Sequence, residues 1–199
     1  VDRREEALSL VFLDFDGHTT YGGNPLLPAD YPRIEPDRII GGLQQVWWPF
    51  EIDFVTGIEQ PHDHRIVFTG EDLWLGGNYV AGYSLLNIYG KTPAEDGGVS
   101  TLPYASYVGS LSSWDDPNPG LAKTAAHELG HAVGIKHGGI AESYAPLKRD
   151  STSWRVEDVL AIYARHPELQ PTAEFTDVVA AVQSRPWYAG QSIIITSIT

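Results

Sequence analysis

His127, Glu128, His131 and His137 are the residues of this 199-residue chain whose types and spacing best suit chemistry. They fall in the run His-Glu-Leu-Gly-His-Ala-Val-Gly-Ile-Lys-His, residues 127–137. On a helix, positions i and i+4 lie about 40° apart and one turn from each other, so two imidazoles there can grip one cation. Glu128 is then about 100° round from His127, near the ion but poorly placed to ligate it. Gly134 can stop the helix through a positive φ and turn the chain back, so that His137 returns as a third ligand. Three neutral imidazoles leave a fourth zinc position for water, the arrangement of a catalytic rather than a closed structural site. Zinc lowers the pKa of such a water to about 7, and Glu128 is the base at hand. A run of this form should arise by chance in roughly 5 of 100,000 chains of this composition, so surface histidines beside a glycine cap are the weaker reading.

The elements that must position these groups can be read in outline. Asn118 is expected as the N-cap and Pro119 as the first residue of a helix running through 121–133. Its inner face is Leu121, Ala125, Leu129 and Ala132, with His127 and His131 roughly opposite. Lys123 falls on the zinc-facing side, one turn before His127, either shaping the pocket or solvated. Residues 8–15 (LSLVFLDF) read as a strand buried on both faces. A Pro- and Gly-rich loop at 22–36 leads to a helix over Asp37–Trp48, stopped by Pro49. Ile52, Phe54 and Ile66–Phe68 mark two strands, and Tyr79–Tyr89 and Val99–Val108 have strand composition. The fold class is therefore α/β (α+β) with a mixed sheet. Pro167–Thr199 reads either as a short helix at Asp177–Val182 with a strand over Ser192–Thr199, or as the lead into another domain.

Composition narrows the function. The apolar content, 42% before glycine is counted, is ordinary for a folded domain. Twenty-six acidic against thirteen basic residues give a net charge of −13 with no basic patch, which argues against nucleic acid as a partner. No apolar run reaches the ~18 residues of a membrane span. With no Cys and no Met, disulfides, thiolate metal sites and a cysteine nucleophile are excluded. The Cys-free composition fits a secreted bacterial protein. The acidity suits either basic substrates or bound Ca2+.

Residues 127–137 resemble the long zinc motif of the metzincin metallopeptidases. The resemblance implies Zn2+ held by His127, His131 and His137, Glu128 as general base, and a peptide or protein substrate. It also implies one catalytic domain over 1–199. Its upper lobe, to about residue 134, would be a twisted mixed sheet with two helices. Its lower lobe, from about 135, would be small and irregular, with a C-terminal helix near Trp154–Arg165 presenting Val156, Val159, Leu160 and Tyr163 on one face. Metzincins place a methionine in a turn beneath the zinc, and this chain has none. Glu142–Leu147 resembles that turn, with Tyr144 at the methionine position as the expected floor of the site and Pro146 two residues on. Gly138 follows the third His and matches no subfamily. The expected protein is thus a monomeric, secreted zinc endopeptidase, with any inhibitory pro-segment outside this chain.

Two other functions compete. Ser9–Thr20, with Asp14 and Asp16, resembles the nucleophile motif of haloacid-dehalogenase-like phosphatases, in which Asp14 would attack phosphorus with magnesium as cofactor. His18 stands where that family has Thr or Val, and no regular βαβ alternation follows. Asp14 and Asp16 are better read as capping a turn or holding a structural cation. A zinc-binding module without catalysis is the other rival, and Glu128 argues against it, since a structural site needs no base. His62-Asp63-His64 is expected to be a solvated turn rather than part of a second metal site, and His18 and His166 surface or capping residues.

Overall fold

The computed structural model describes residues 9–19, 25–29, 33–57, 61–70, 73–75, 78–84, 86, 89–90, 97–100, 116–136, 153–185 and 192–196. The apolar run near the start forms strand β1 (Ser9–Asp14), in which Val11, Phe12 and Leu13 are all buried. Burial on both faces follows from its central place. It pairs in parallel with β4 (Ile52–Val55) on one side and with β5 (His64–Thr69) on the other. Next to β5 lies β9 (Gly97–Ser100), also parallel, and then β8 (Gly82–Tyr83), which is antiparallel and closes the sheet at that edge. Two small antiparallel pairs accompany the sheet: β2 (His18–Thr19) with β3 (Pro25–Leu26), and β6 (Leu73–Leu75) with β7 (Asn78–Val80). The expected strand over Tyr79–Tyr89 is therefore broken, with β7 and β8 as separate short pieces and a turn at Tyr89. Residues 101–108 of the expected strand after Val99 lie outside the described residues.

Helix α1 (Pro36–Val46) makes the crossover from β1 to β4. Proline at its start suits the first turn, where the backbone N–H would have no helical partner. Its inner face is Ile39 and Leu43, continued by Trp47, all essentially inaccessible to water. Helix α2 (Asn118–Ala132) packs on the same side of the sheet, against α1 and against β9 and β8. The two helices meet closely: a methyl on Gly42 would lie 2.7 Å from the Ala122 Cβ. Leu121, Ala125, Leu129 and Ala132 are all fully buried, as the periodicity of the segment predicts.

The C-terminal part holds two helices and a strand where they were expected, and one further strand. Trp154 and Arg155 belong to a strand, β10 (Ser153–Arg155), which pairs antiparallel with β11 (Ile194–Thr196). Helix α3 (Val156–Arg165) starts only after it, and helix α4 (Ala173–Gln183) extends well beyond the short helix anticipated there. Among the described residues the molecule is thus a mixed α/β fold with four helices. The buried face of α3 is Val156, Val159 and Ile162, whereas Leu160 is 44% exposed and Tyr163 only half-buried, which corrects the expected face. At about 100° per residue Val159 is the centre of the buried face, with Val156 and Ile162 about 60° to either side and Leu160 about 100° away.

These elements are fastened to the base of α1. Trp154 donates its indole N–H to the Val46 carbonyl at 2.7 Å, and its ring lies 5.3 Å from Trp47 and 5.2 Å from Phe50. Tyr163 donates to the Pro49 carbonyl, while Glu51 N–H reaches the Gln170 carbonyl at 2.9 Å. One apolar core therefore runs from Val11 through Leu129 to Ile162 and Ile195.

Candidate metal centre

The site is built on the last two turns of α2. His127 and His131 project from successive turns, and their Nε2 atoms face each other at 3.0 Å, the ring planes nearly perpendicular. What they can do depends on where the protons sit. Nδ1 of His131 lies 2.7 Å from the Ile135 carbonyl oxygen. A carbonyl can only accept, so Nδ1 carries the hydrogen, and Nε2 of neutral His131 is left as a lone pair turned towards His127.

The helix end that supplies this carbonyl follows from Gly134. Its φ is +93°, a conformation that costs other L-residues about 1–2 kcal/mol. The Gly134 N–H bonds to the His131 carbonyl at 2.8 Å and the Ile135 N–H to the Gly130 carbonyl at 2.9 Å. This pair of bonds is a Schellman turn, with glycine at C′ and an apolar residue, here the buried Ile135, just beyond. It turns the chain so that the Ile135 carbonyl points back at the ring four residues earlier. The glycine expected to end the helix therefore also orients a ligand imidazole. Tyr89 takes a further carbonyl of the helix end, its N–H bonding to Ala132 at 3.1 Å. Neither backbone partner was readable from side-chain types, although the Gly-Ile pair after a helix carries the turn signal.

Glu128, the residue after His127, is buried, 5% exposed. In the metal-free chain burial pushes its carboxyl up to about 8, and a cation held beside it would draw that value back down towards the carboxylate that a base requires. Among the described residues no group of three or more His, Asp or Glu surrounds one point. His137, the expected third ligand, lies outside the described residues, as do Gly138, Tyr144 and Pro146 of the expected floor. The two histidines present nonetheless fit a zinc ion: nitrogen ligands at tetrahedral positions stand about 3.3 Å apart, within a few tenths of an ångström of the observed separation.

The approach to α2 differs from expectation. Pro117 holds the cap position without a side-chain bond, and Asn118 is already helical and 1% exposed. Its amide is used elsewhere: Oδ1 accepts the Glu35 N–H at 2.8 Å, and Nδ2 donates to the Arg33 carbonyl at 3.1 Å and to Asp116 at 2.7 Å. A buried amide must find partners, and the chain leading into α1 provides them. Asp116 in turn pairs with Arg38 of α1. The starts of the two helices are tied together, which fixes the axis along which the histidines stand.

The acidic and histidine clusters away from α2 have structural employment. Asp14 accepts the Asp16 N–H at 3.0 Å and so caps the turn after β1, one of the two roles foreseen for it. Residues 62–64 are not a solvated turn. Asp63 accepts the Ser9 hydroxyl at 2.8 Å and the Leu10 N–H at 2.9 Å, and the Ser9 hydroxyl also lies 2.7 Å from the Tyr89 hydroxyl. His64 is in β5, 3% exposed, with its ring 5.9 Å from that of Tyr89. His166, expected at the surface, is 2% exposed, edge-on to the other side of this cluster and bonded through Nδ1 to Glu168 at 3.0 Å. The side chain of His18 lies outside the described residues.

Burial, aided by the neighbouring His62, holds His64 down at about 3, against 6.5 in an unfolded chain. The unfolded chain therefore binds a proton below pH 6.5 that the fold refuses. Stability is complete above that pH and is lost as pH falls towards 3, by up to about 1.4 kcal/mol per unit. Urea unfolding of metal-free wild type and His64→Phe at pH 7 and pH 5 should show a drop about 2 kcal/mol larger in the wild type. Equal drops would show that His64 does not carry this acid sensitivity.

No protein-family profile matches the chain, and no curated protein matches it by sequence. Among solved structures, myroilysin is similar over 82% of this chain and 62% of its own length, with 21% identity and a TM-score of 0.36. Archaemetzincin from Methanopyrus kandleri is similar over 84% of this chain and 99% of its own, with 16% identity and a TM-score of 0.51. The element order, the mixed sheet with one antiparallel edge and the histidine-bearing helix beside it thus amount to a metzincin-like fold.

Proposed function

We propose that the protein is a zinc-dependent endopeptidase, with His127, His131 and His137 as metal ligands and Glu128 as the base. The observation that carries this reading is the pair of facing Nε2 atoms, one of them fixed as a lone pair by the Ile135 carbonyl, on a metzincin-like fold. When bound, zinc supplies Lewis acidity towards a peptide carbonyl and makes water acidic enough to attack near neutral pH. Everything else falls to the chain. The Schellman turn holds the His131 ring in one orientation. Glu128 takes the proton of the attacking water on one of its carboxylate oxygens and returns it to the departing amine. Tyr144 and Pro146 belong to the same reading as the floor of the site.

Extended substrate would add to the edge of the sheet at β8, which lies beside α2 and pairs with β9 on its other side. Backbone pairing there would grip any sequence and leave selectivity to the side chains along α2. A peptide library incubated with zinc-loaded protein tests this reading. Internal cleavage that stops on chelation and returns with zinc is the expected result, and release of only terminal residues would reassign the enzyme as an exopeptidase.

A further inference from the structure

The last four carbonyls of an α-helix have no partner within it. In α2 these belong to Leu129, Gly130, His131 and Ala132. The N–H groups of Val133, Ile135 and Gly134 bond to the first three, so the turn that follows the helix satisfies them locally. Ala132 is served from elsewhere in the chain, by the Tyr89 N–H at 3.1 Å. Tyr89 therefore fastens the turn of α2 that carries His131 to another part of the molecule.

Tyr89 is itself held by a buried polar cluster that the proposed mechanism does not use. Its hydroxyl lies 2.7 Å from Ser9 Oγ, and Ser9 Oγ lies 2.8 Å from Asp63 Oδ2. A carboxylate only accepts, so the single Ser9 hydroxyl hydrogen goes to Asp63 and the Tyr89 hydroxyl donates to Ser9. Burial raises the phenol well above its usual range, so it keeps that hydrogen. The rings of His64 and His166 flank the Tyr89 ring, each 5.9 Å from it. The next residue is held as well. The Gly90 N–H bonds to the Asp63 carbonyl at 3.1 Å, and a methyl on Gly90 would lie 3.0 Å from Glu168 Oε1. Strand β1 and the chain entering β5 thus reach the end of α2 through one residue, itself 1% exposed.

We infer that Tyr89 is a positioning residue of the metal centre: its hydroxyl, anchored on Ser9 and Asp63, sets the backbone N–H that seats the end of α2. This rests on the zinc peptidase reading above. Seating Ala132 also seats the turn after it, and with that turn the Ile135 carbonyl that orients the His131 ring. Ring packing alone is non-directional, whereas the hydroxyl bond to Ser9 fixes where the ring ends and so where its backbone stands. Metal ligands must be held within about 0.5 Å of their working geometry. An anchor that places the helix end therefore acts on the metal without touching it.

The test is zinc affinity, read by competition with a chromophoric chelator, in wild type, Tyr89→Phe, Ser9→Ala, the double variant and Ile195→Val, a core change at β11. Tyr89→Phe and Ser9→Ala remove the same hydrogen bond. Each should weaken zinc by about 10-fold, the lower end of the loss that follows removal of a group orienting a ligand. The double variant should be no weaker than the worse single one, as two partners in one bond require. Ile195→Val should lose stability and keep its affinity. Hydrogen exchange of the metal-free proteins should show the Tyr89 and Ile135 amides opening about 10-fold faster in Tyr89→Phe, while those of Leu13 and Ile66 keep their rates. Unchanged zinc affinity in Tyr89→Phe and Ser9→Ala, with only their stability lowered, would overturn the role of Tyr89 and leave the metal centre intact. An equal loss in Ile195→Val would overturn it too, since affinity would then follow overall stability. Failure of wild type to bind zinc, or binding that survives His131→Ala, would overturn the metal centre itself, and the inference with it.

Discussion

Glu128→Gln is expected to lower peptide hydrolysis by about 10²–10⁴-fold while the protein keeps its zinc. The amide has nearly the shape of the carboxylate, so the buried pocket that holds Glu128 is filled as before. What is lost is a group able to take a proton and give it back. Because Glu128 lies a quarter-turn from the histidines and is buried, the substitution leaves the facing Nε2 pair in place. Rates from a fluorogenic peptide, alongside metal content of the same samples, measure both halves. Full activity in the variant would remove Glu128 from the mechanism; zinc lost together with activity would make it a ligand rather than a base.

His131→Ala should produce the complementary failure, in which the metal goes and activity goes with it. Loss of a partner that merely orients a ligand typically costs 10–100-fold in metal affinity, and loss of the ligand itself should exceed about 100-fold. The substitution also strands the Ile135 carbonyl that now accepts from the ring, so a modest loss of stability is expected beside it. Competition with a chromophoric chelator reads the affinity, and circular dichroism shows that the fold persists. Zinc bound as tightly as by wild type would place the metal elsewhere. Taken together, the two variants separate holding the ion from moving the proton.

The residues on which these tests rest were legible because their signal is local. Helical periodicity placed His127 and His131 on one face and Leu121, Ala125, Leu129 and Ala132 on the other, and Gly134 ended the helix as its lack of a Cβ suggests. Strand β1 was legible for the same reason, as an unbroken apolar run. What escaped prediction depends on partners far along the chain. Asn118 reads as an N-cap, but it is already helical and the Glu35 N–H, 83 residues earlier, takes its side chain. Trp154 and Arg155 look like the start of a helix until their pairing with Ile195 and Ile194 makes them a strand. The polar triplet His62-Asp63-His64 reads as exposed, yet Ser9 and Tyr89 supply the hydrogen bond and ring contact that let it stay inside. Nothing within a dozen residues of any of these positions announces the partner.

One zinc ion, held on α2, is expected to make this chain a peptidase. Titrating zinc into metal-free protein while following peptide cleavage addresses it in one experiment. No cleavage is expected without metal, then a linear rise with added zinc and a break at one equivalent per chain. Cleavage by the metal-free protein, or one equivalent of zinc bound with no peptide cut, would contradict it.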